Sequence, residues 1–322
     1  MKARITKDIA AAKELLDNGR LVAIPTETVY GLAANGTNIL AIKKIFEAKG
    51  RPSNNPLILH FSGLDALSPY VTTISTDAKL LAEAFWPGPL TLLLPKSNKV
   101  PDSITAGLTR VAVRIPQHPL TQELLGILDY PLAAPSANPS GYISPTRPSH
   151  VQKQLGDKIP LILDGGPCTK GLESTILGWD DNGTPTIYRK GVITAEAIEK
   201  VLHQLPHNHQ SKTLEAPGML SSHYAPRTKT VLADAIDQTI AQYKKLKIGI
   251  IRFHSTIKGD PKANVEIVLS DKGSLEEVAK NLYAAMHELD GQELDLIVIE
   301  KAPETGIGKA INDRLQRSTT IV

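Results

Sequence analysis

Two cations stand close together in the segment KGRPSNNPLILH. Lys49 and Arg51 flank a glycine, Asn55 follows in the same loop, and His60 comes at the end of the next apolar run. Ammonium and guanidinium groups on a proline-stiffened loop suit phosphate oxygens, because lysine is a point charge and arginine is a planar, two-pronged donor. The alternative is that both cations only offset the negative end of a preceding helix. The segment alone leaves both interpretations open.

Further polar side chains accompany short apolar runs. Arg114 lies in VAVRIPQHP, where an unpaired guanidinium would be costly to bury, so it must meet either a structural carboxylate or a substrate anion. AIPTETVYGLAANG places Thr28 just after a strand, where α/β sheets present ligand-binding loops, although a turn that satisfies only its own backbone is equally consistent. Arg189 ends a strand in TIYRKG and is a third candidate phosphate ligand.

A third group of polar residues lies in loops between prolines and glycines. In APSANPSGYISPT these are Ser136, Asn138, Ser140, Ser144 and Thr146, and in LILDGGPCTKGLESTI they are Asp164, Glu173, Ser174 and Thr175. Such loops can hold phosphate or ribose oxygens, but they are also common as plain turns. No Walker A motif accompanies them, so phosphate binding would have to come from dispersed cations and loop donors.

Composition bounds the class of protein. The 322 residues favour two domains, and 41% hydrophobic with 21% charged residues is typical of a globular protein. A net charge of +3 is too small for a nucleic-acid coat. The single cysteine, Cys168, excludes an internal disulfide and a thiolate-rich zinc site, and no Cys-His motif suggests a thiol nucleophile. Without an apolar leader or a run near the roughly 20 residues that span a bilayer, we expect a cytoplasmic protein with no membrane contact.

The elements that position these residues alternate between helices and strands. Thr6 is predicted to cap a first helix that ends near Gly19, and a second helix with an isoleucine face ends at Lys49. Short apolar strands are predicted at residues 21–24, 57–61, 90–94, 111–115 and 161–163. This alternation predicts an α/β fold whose loops carry the polar residues.

The periodicity lapses in a polar, histidine-rich stretch that is predicted to be a linker. After it, strands at residues 230–233, 248–253, 265–269 and 294–299 alternate with helices, one of them opened by a Ser274–Glu277 capping box. We therefore divide the chain into a first domain at 1–204, a linker at 205–228 and a smaller, Rossmann-like domain at 229–322. The last domain lacks G-x-G-x-x-G, so nucleotide binding there does not follow.

Taken in order, PTETVYGLA, KGRPSNNPLILH, VAVRIPQHP, SANPSG, DGG, ESTI and YRKG resemble the YrdC-domain family of threonylcarbamoyl-AMP synthases. SSHYAP and GIGKAINDRLQRS resemble the long, two-domain form of that family. The resemblance implies an open, twisted mixed sheet in the first domain. It also implies ATP-dependent synthesis of threonylcarbamoyl-AMP and pyrophosphate from L-threonine and bicarbonate or CO2, for threonylcarbamoyladenosine modification of tRNA.

The resemblance also implies roles for individual residues. The ATP site would comprise Lys49, Arg51, Asn55, Arg110, Ser136, Asn138, Ser144, Thr146, Arg189 and Tyr224. Lys49 and Arg51, which would hold the triphosphate, are the implied catalytic residues. Threonine would be held by Thr28, His60, Arg114 and Ser174, with Thr175 as the alternative to Ser174. Tyr224 would cover the nucleotide as part of a linker lid and exclude water.

The implied partners follow from the same reaction. Mg2+ would be held mainly by the nucleotide phosphates, without a dedicated protein site. Downstream threonylcarbamoyl-transferase machinery would receive the product, and tRNA contact would be transient. The alternative from another class is a double-stranded RNA-binding module, since YrdC-like domains present a basic concave face. The nearly balanced charge and low aromatic content disfavour an RNA-only role.

Overall fold

The computed structural model describes residues 2–210, 215–217, 224–243, 245–254 and 264–319. The helices in these ranges are α1 Ile9–Asp17, α2 Ile39–Lys49, α3 Leu64–Leu67, α4 Thr76–Phe85, α5 Asp102–Thr105, α6 Pro119–Gly126, α7 Pro148–Leu155, α8 Ala195–Leu202, α9 Ile236–Ala241, α10 Leu275–Asp290 and α11 Gly308–Thr319, with a 3-10 turn at Ser68–Tyr70. The strands of the first sheet are β1 Arg4–Thr6, β2 Val22–Ile24, β3 Gly31–Asn35, β4 Ile58–His60, β5 Leu90–Pro95, β6 Arg110–Arg114, β7 Leu132–Ala133, β8 Leu161–Leu163, β9 Thr175–Trp179, β10 Pro185–Arg189 and β11 His207–Asn208. The strands of the second sheet are β12 Thr230–Ala233, β13 Ile248–Arg252, β14 Val265–Val268 and β15 Leu296–Glu300.

The first sheet is mixed, with the order β1-β8-β2-β3-β7-β4-β6-β5-β9-β10-β11. β4 and β6 run parallel and pair His60 with Arg114 at their carboxyl ends. β5 is antiparallel to β6 and parallel to β9, and β10 is antiparallel to β9. These directions bring the ends of β4, β6 and β10 to the same edge of the sheet as the start of β9. His60, Arg114, Arg189 and Thr175 therefore meet at one edge.

Helices cover both faces of this sheet. Successive side chains of a strand point to opposite faces, and β3 shows the alternation. Leu32 and Ala34 join a hydrophobic cluster that includes residues of α2 and α4, whereas Ala33 joins a separate cluster with residues of α1 and α6. The predicted α/β class with an open mixed sheet is confirmed.

The second domain is a smaller parallel sheet with the order β12-β15-β13-β14, as the predicted Rossmann-like alternation requires. One of its hydrophobic clusters includes Val29, Ile143 and Leu172 of the first domain. At Gly171, φ is 74° and an added Cβ would lie 2.5 Å from the carbonyl oxygen of Ala279 in α10. The two domains therefore share a closely packed, apolar interface.

Two predicted helix boundaries are confirmed and one is wrong. α2 ends at Lys49 as expected, and Ser274 caps α10 by accepting from the Glu277 amide at 3.3 Å. The predicted Thr6 cap is wrong: Asp8 accepts from the Ala11 amide at 2.9 Å. Thr6 ends β1, which pairs with β8, and this pairing keeps the chain extended for two residues longer than the apolar period suggested.

The predicted linker at 205–228 begins inside the first sheet, because β11 pairs in parallel with β10. Residues 221–223 of the SSHYAP motif lie outside the described residues, whereas Tyr224 is described and buried. Across the described ranges, every helix is too short or too polar to cross a bilayer.

Gly191 tests how closely the first domain is packed around Glu173. An added Cβ would lie 2.4 Å from the Thr175 nitrogen and 2.6 Å from the Glu173 oxygen. Because backbone atoms cannot swing away, Gly191→Ala should lower the free energy of unfolding by about 1–3 kcal/mol. Gly126→Ala at the end of α6 is the control: outside its own helix the added Cβ meets no heavy atom within 4 Å, so it should raise the free energy of unfolding by up to about 1 kcal/mol. Urea unfolding measures both, and equal midpoints would contradict the packing argument.

Candidate active site

A cleft opens at the edge of the first sheet where the strand ends meet. Many of the residues predicted from the sequence line it: Thr28, Arg51, His60, Arg114, Ser136, Ser174, Arg189 and Tyr224. Thr26, Glu173 and Pro217 line it as well and were not among the predicted ligands. The space enclosed is about 50 Å³, well below the roughly 300 Å³ at which small-molecule pockets begin.

Arg114 is the centre of one end of the cleft. Its guanidinium donates to Glu27 Oε1 at 2.6 Å and to Thr28 Oγ1 at 3.0 Å. Both members of the ion pair are only 4% exposed. Of the two partners left open for Arg114, the structural carboxylate is therefore present, and the side chain still lines the cleft. Burial, and then the charge of Arg114, lower the pKa of the neighbouring His60 to about 3, so this imidazole is neutral near pH 7.

Arg51 lines the other end of the cleft, and Lys49 is buried near it without lining the cleft. Lys49 Nζ donates to the carbonyl oxygens of Ser136, at 2.6 Å, and of Asn138, rather than to the carbonyls that end α2. Arg51 donates to Asn55 Oδ1 at 2.5 Å and to the Pro56 oxygen at 2.7 Å. Burial lowers the pKa of Lys49 well below its usual value and that of Arg51 to about 10. The helix-end alternative therefore does not describe Lys49, whose ammonium is held by the 136–138 loop.

Arg189 and Ser174 join the two ends. The Arg189 guanidinium donates to the Ser174 carbonyl at 3.0 and 3.1 Å and to Ser174 Oγ at 3.0 Å. Ser174 Oγ also lies 2.7 Å from Thr91 Oγ1. Thr175 Oγ1 instead donates to the Ile193 oxygen at 2.6 Å. Of the two alternatives at this position, the structure brings Ser174 to the cleft.

Three predicted ATP ligands have buried polar atoms without a hydrogen-bond partner among the described residues. These atoms are Asn55 Nδ2, Asn138 Oδ1 and Thr146 Oγ1. A buried polar atom without a partner costs free energy, and such atoms are rare in folded proteins. Asn55 and Asn138 each accept a hydrogen bond through an oxygen atom, from Arg51 and Lys49 respectively. Thr146 follows Ser144 by two residues. None of the three residues lines the cleft, although each is close in sequence to a residue that contacts a lining residue or lines the cleft itself.

Arg110 lies apart from the other predicted ligands. It donates to the Trp179 oxygen at 2.7 Å and to the Tyr188 hydroxyl at 2.9 Å, and it forms an ion pair with Glu215. Arg110 begins β6 and Arg114 ends it, so about 13 Å of strand separates their backbones. The structure does not place Arg110 in the cleft.

Glu173 lines the cleft, although no role in the site was predicted from the sequence for this loop carboxylate. It accepts from Ser144 Oγ at 2.7 Å and pairs with Arg314 of α11 at 2.8 Å. Burial alone raises the pKa of Glu173, but Arg314 and Arg189 outweigh it and hold the pKa below its usual value. Its place directly before Ser174 in ESTI was the available clue.

The single cysteine does not suit thiolate chemistry. Cys168 is buried, and burial raises the pKa of its thiol to about 12, which disfavours a thiolate nucleophile. In the part of the chain that the structure describes, no group of three or more histidine, cysteine, aspartate or glutamate side chains is arranged to hold a metal ion.

The fold and the cleft define a two-domain α/β protein with a buried cationic site at a sheet edge. Residues 14–191 match the Sua5/YciO/YrdC family model, described as telomere recombination. Residues 193–320 match the model described as threonylcarbamoyl-AMP synthase, C-terminal domain. The chain belongs to this family, in its two-domain form.

Individual relatives agree over nearly the whole chain. Threonylcarbamoyl-AMP synthase of Pyrococcus abyssi is 40% identical over 97% of this chain and 94% of its own length. The Bacillus subtilis protein of the same name is 40% identical over 96% of this chain and 92% of its own. A crystal structure of P. abyssi Sua5 complexed with L-threonine superposes with a TM-score of 0.91 at 38% identity, covering 99% of this chain and 97% of that one.

The Glu27–Arg114 pair generates a stability prediction. Glu27→Gln removes the only negative charge that the guanidinium contacts among the described residues, so it should lower the free energy of unfolding by about 3 kcal/mol. Glu47→Gln is the control, because its pair with Lys43 is 61% and 71% exposed and should contribute at most about 1 kcal/mol. Chemical denaturation compares the two, and equal losses would show that the buried pair has no special importance.

Proposed function

We propose that this protein is a threonylcarbamoyl-AMP synthase. In this reaction the amine of L-threonine takes up CO2, supplied as such or as bicarbonate, to form a carbamate. A carbamate oxygen then attacks the α-phosphate of ATP, and pyrophosphate leaves. The observation that carries the proposal is the convergence of Arg51, Arg114 and Arg189 on one cleft together with hydroxyl groups. A reaction that joins an amino-acid derivative to a triphosphate needs this combination of charge neutralisation and positioning.

The end of the cleft around Arg114 suits threonine. Arg114 offers charge to the substrate carboxylate, while Glu27 holds the guanidinium in place. Thr28 and Ser174 present hydroxyls that can bond the substrate's polar groups. His60 adds a neutral ring, with one nitrogen donor and one acceptor, because its pKa of about 3 lies far below physiological pH.

The end around Lys49 suits the triphosphate. Lys49, Arg51 and Arg189 donate to carbonyl oxygens of the protein, and phosphate oxygens are stronger, charged acceptors that can replace them. The bound phosphates would also raise the lowered pKa of Lys49 and stabilise its ammonium form. In the transition state these cations offset the charge that develops on the phosphates.

Mg2+ would enter with ATP and neutralise phosphate charge. Hard cations take oxygen ligands. The side-chain oxygens of the lining residues are the Glu173 carboxylate, which is paired with Arg314, and the hydroxyls of Thr26, Thr28, Ser136, Ser174 and Tyr224. These residues fit a metal held mainly by phosphates and water.

A nucleotide needs more than the present space of about 50 Å³. Tyr224 and Pro217 would therefore move as ATP enters, as expected of a lid.

The product defines the surrounding steps. Threonylcarbamoyl-AMP is an activated acyl donor, so a threonylcarbamoyl transferase that acts on tRNA would consume it, with tRNA contact here only transient. We place these steps in the cytoplasm.

Incubating the protein with ATP, Mg2+, bicarbonate and L-threonine, followed by mass analysis for the adenylate, tests the proposal. Tight binding of double-stranded RNA with no adenylate would favour the RNA-binding alternative instead.

The three cations should be individually important. Replacing Lys49, Arg51 or Arg189 by Ala should each lower kcat/KM for ATP by roughly 100-fold or more, because each removes charge stabilisation at the phosphates. Arg252→Ala is the control, since Arg252 pairs with Glu266 in the second domain. Initial rates of pyrophosphate release measure the effect, and full turnover in all three variants would remove the proposed ATP site.

The cleft should also select its amino acid. Threonine and valine have nearly the same shape, but valine would leave the polar groups around Ser174 and Thr28 without a partner. We expect kcat/KM for threonine to exceed that for valine by at least about 100-fold. Mass analysis of competition mixtures measures the ratio, and equal use of the two would contradict the assignment of these residues.

A further inference from the structure

A buried ion pair connects the second domain to the cleft. Arg314 of α11 donates from Nε to Glu173 Oε2 at 2.8 Å, and the two side chains are 1% and 6% exposed. The rest of the guanidinium donates to the Lys190 oxygen at 2.6 Å and to the neighbouring Asp313. Arg314 therefore lies where α11 meets the segments that carry Glu173 and Arg189.

Glu173 links this ion pair to the proposed nucleotide site through hydrogen bonds. Its carboxylate accepts from Ser144 Oγ at 2.7 Å and from the Tyr283 hydroxyl of α10 at 3.1 Å. His287, one turn further along α10, lies 3.1 Å from the Ser144 carbonyl oxygen. Ser144 is thus held through both its side chain and its backbone by groups that depend on the second domain.

Tyr224 is held by the same two helices. Its ring stacks on Tyr283, with centroids 5.8 Å apart, and the Arg314 guanidinium lies 5.0 Å from the ring centre. Tyr224 has a φ of 67°, a conformation that costs free energy in a non-glycine residue and persists only when its surroundings enforce it. The contacts with α10 and α11 supply such surroundings.

Charge gives Arg314 a second role. Glu173 lines the cleft with Arg51 and Arg189, and an unpaired carboxylate there would repel phosphates and compete with them for Arg189. Arg314 approaches Glu173 from the side of the second domain and does not itself line the cleft. The pairing leaves the lining arginines available to an anionic ligand.

We propose that Arg314 is a positioning residue for the ATP site. By pairing with Glu173 it keeps Ser144 in place and prevents the carboxylate from opposing the phosphates. The second domain then contributes directly to nucleotide binding through α10 and α11. This inference rests on the synthase activity proposed above.

The test compares Arg314→Met with Asn312→Ala in the full-length protein. Asn312 is a buried polar residue of the same helix that bonds both backbone groups of Ala302 instead of the cleft. Calorimetry gives Kd for Mg2+-ATP, steady-state rates give kcat and both KM values, and urea unfolding reports stability. For Arg314→Met we expect Kd and KM for ATP to rise roughly 100-fold, with a smaller change in KM for threonine. Asn312→Ala should lose stability with Kd unchanged.

A double variant separates charge compensation from simple loss of structure. Glu173→Gln/Arg314→Met removes both charges but keeps an acceptor for Ser144 and Tyr283, so Kd for ATP should return to within about fivefold of the wild type. Should Arg314→Met fail to fold, the double variant decides alone: recovery supports the proposal, and a Kd about 100-fold weaker overturns it.

Two other results would overturn the inference. One is an unchanged Kd in folded Arg314→Met, and the other is an equal rise in Kd for Asn312→Ala, which would indicate only general destabilisation. The proposed function fails separately, if the wild type binds ATP but forms no threonylcarbamoyl-AMP. In that case the comparison of Kd values still tests the role of Arg314.

Discussion

The structure depends on burying several cations around one cleft. Without a Walker A loop, the proposed triphosphate site has to be assembled from separate charges, and each charge is costly to remove from water. The protein meets this cost by giving each cation acceptors of its own. Lys49 and Arg51 donate to loop carbonyls, Arg189 donates to Ser174, and Arg114 pairs with Glu27. The same contacts fix the orientation of the side chains before a ligand arrives, which lowers the ordering cost of binding.

Two buried ion pairs frame this cleft and differ in what they connect. Glu27–Arg114 lies within the first domain and joins the loop after β2 to the end of β6. Glu173–Arg314 crosses between domains and joins the segment before β9 to α11. A buried charge that loses its partner is strongly destabilising. A shift of the second domain away from the first would therefore leave a charge near the site unpaired. The second domain lacks a nucleotide-binding fingerprint of its own. The buried pair nevertheless keeps it closely packed against the first domain near the cleft.

The sequence predicted which residues would line the cleft better than it predicted what they contact. Arg114 was correctly expected to meet an anion, since no guanidinium is buried unpaired, but the choice between Glu27 and a substrate needed coordinates. Arg110 was wrongly expected in the same site as Arg114. The two residues are four apart in the sequence, but Arg110 begins β6 and Arg114 ends it, so they lie at opposite ends of the strand. Thr6 failed as a helix cap because the pairing of β1 with β8, which is remote in sequence, outweighed the local preference.

What the sequence determined by itself is local: the helix and strand periods, Gly19 after the first helix, where φ is 63°, the Ser274 cap, and the residue types able to hold phosphate and carboxylate. These follow from side-chain chemistry and from spacings of a few residues. Only the tertiary structure decided which of those residues meet. The parallel pairing of β4 with β6 puts His60 beside Arg114. The pairing of β5 with β6 and β9, and of β9 with β10, brings Arg189 to the same edge. The partnership of Glu173 with Arg314 joins residues 141 positions apart, and a contact at that separation is set by how whole domains pack, for which no short-range pattern exists.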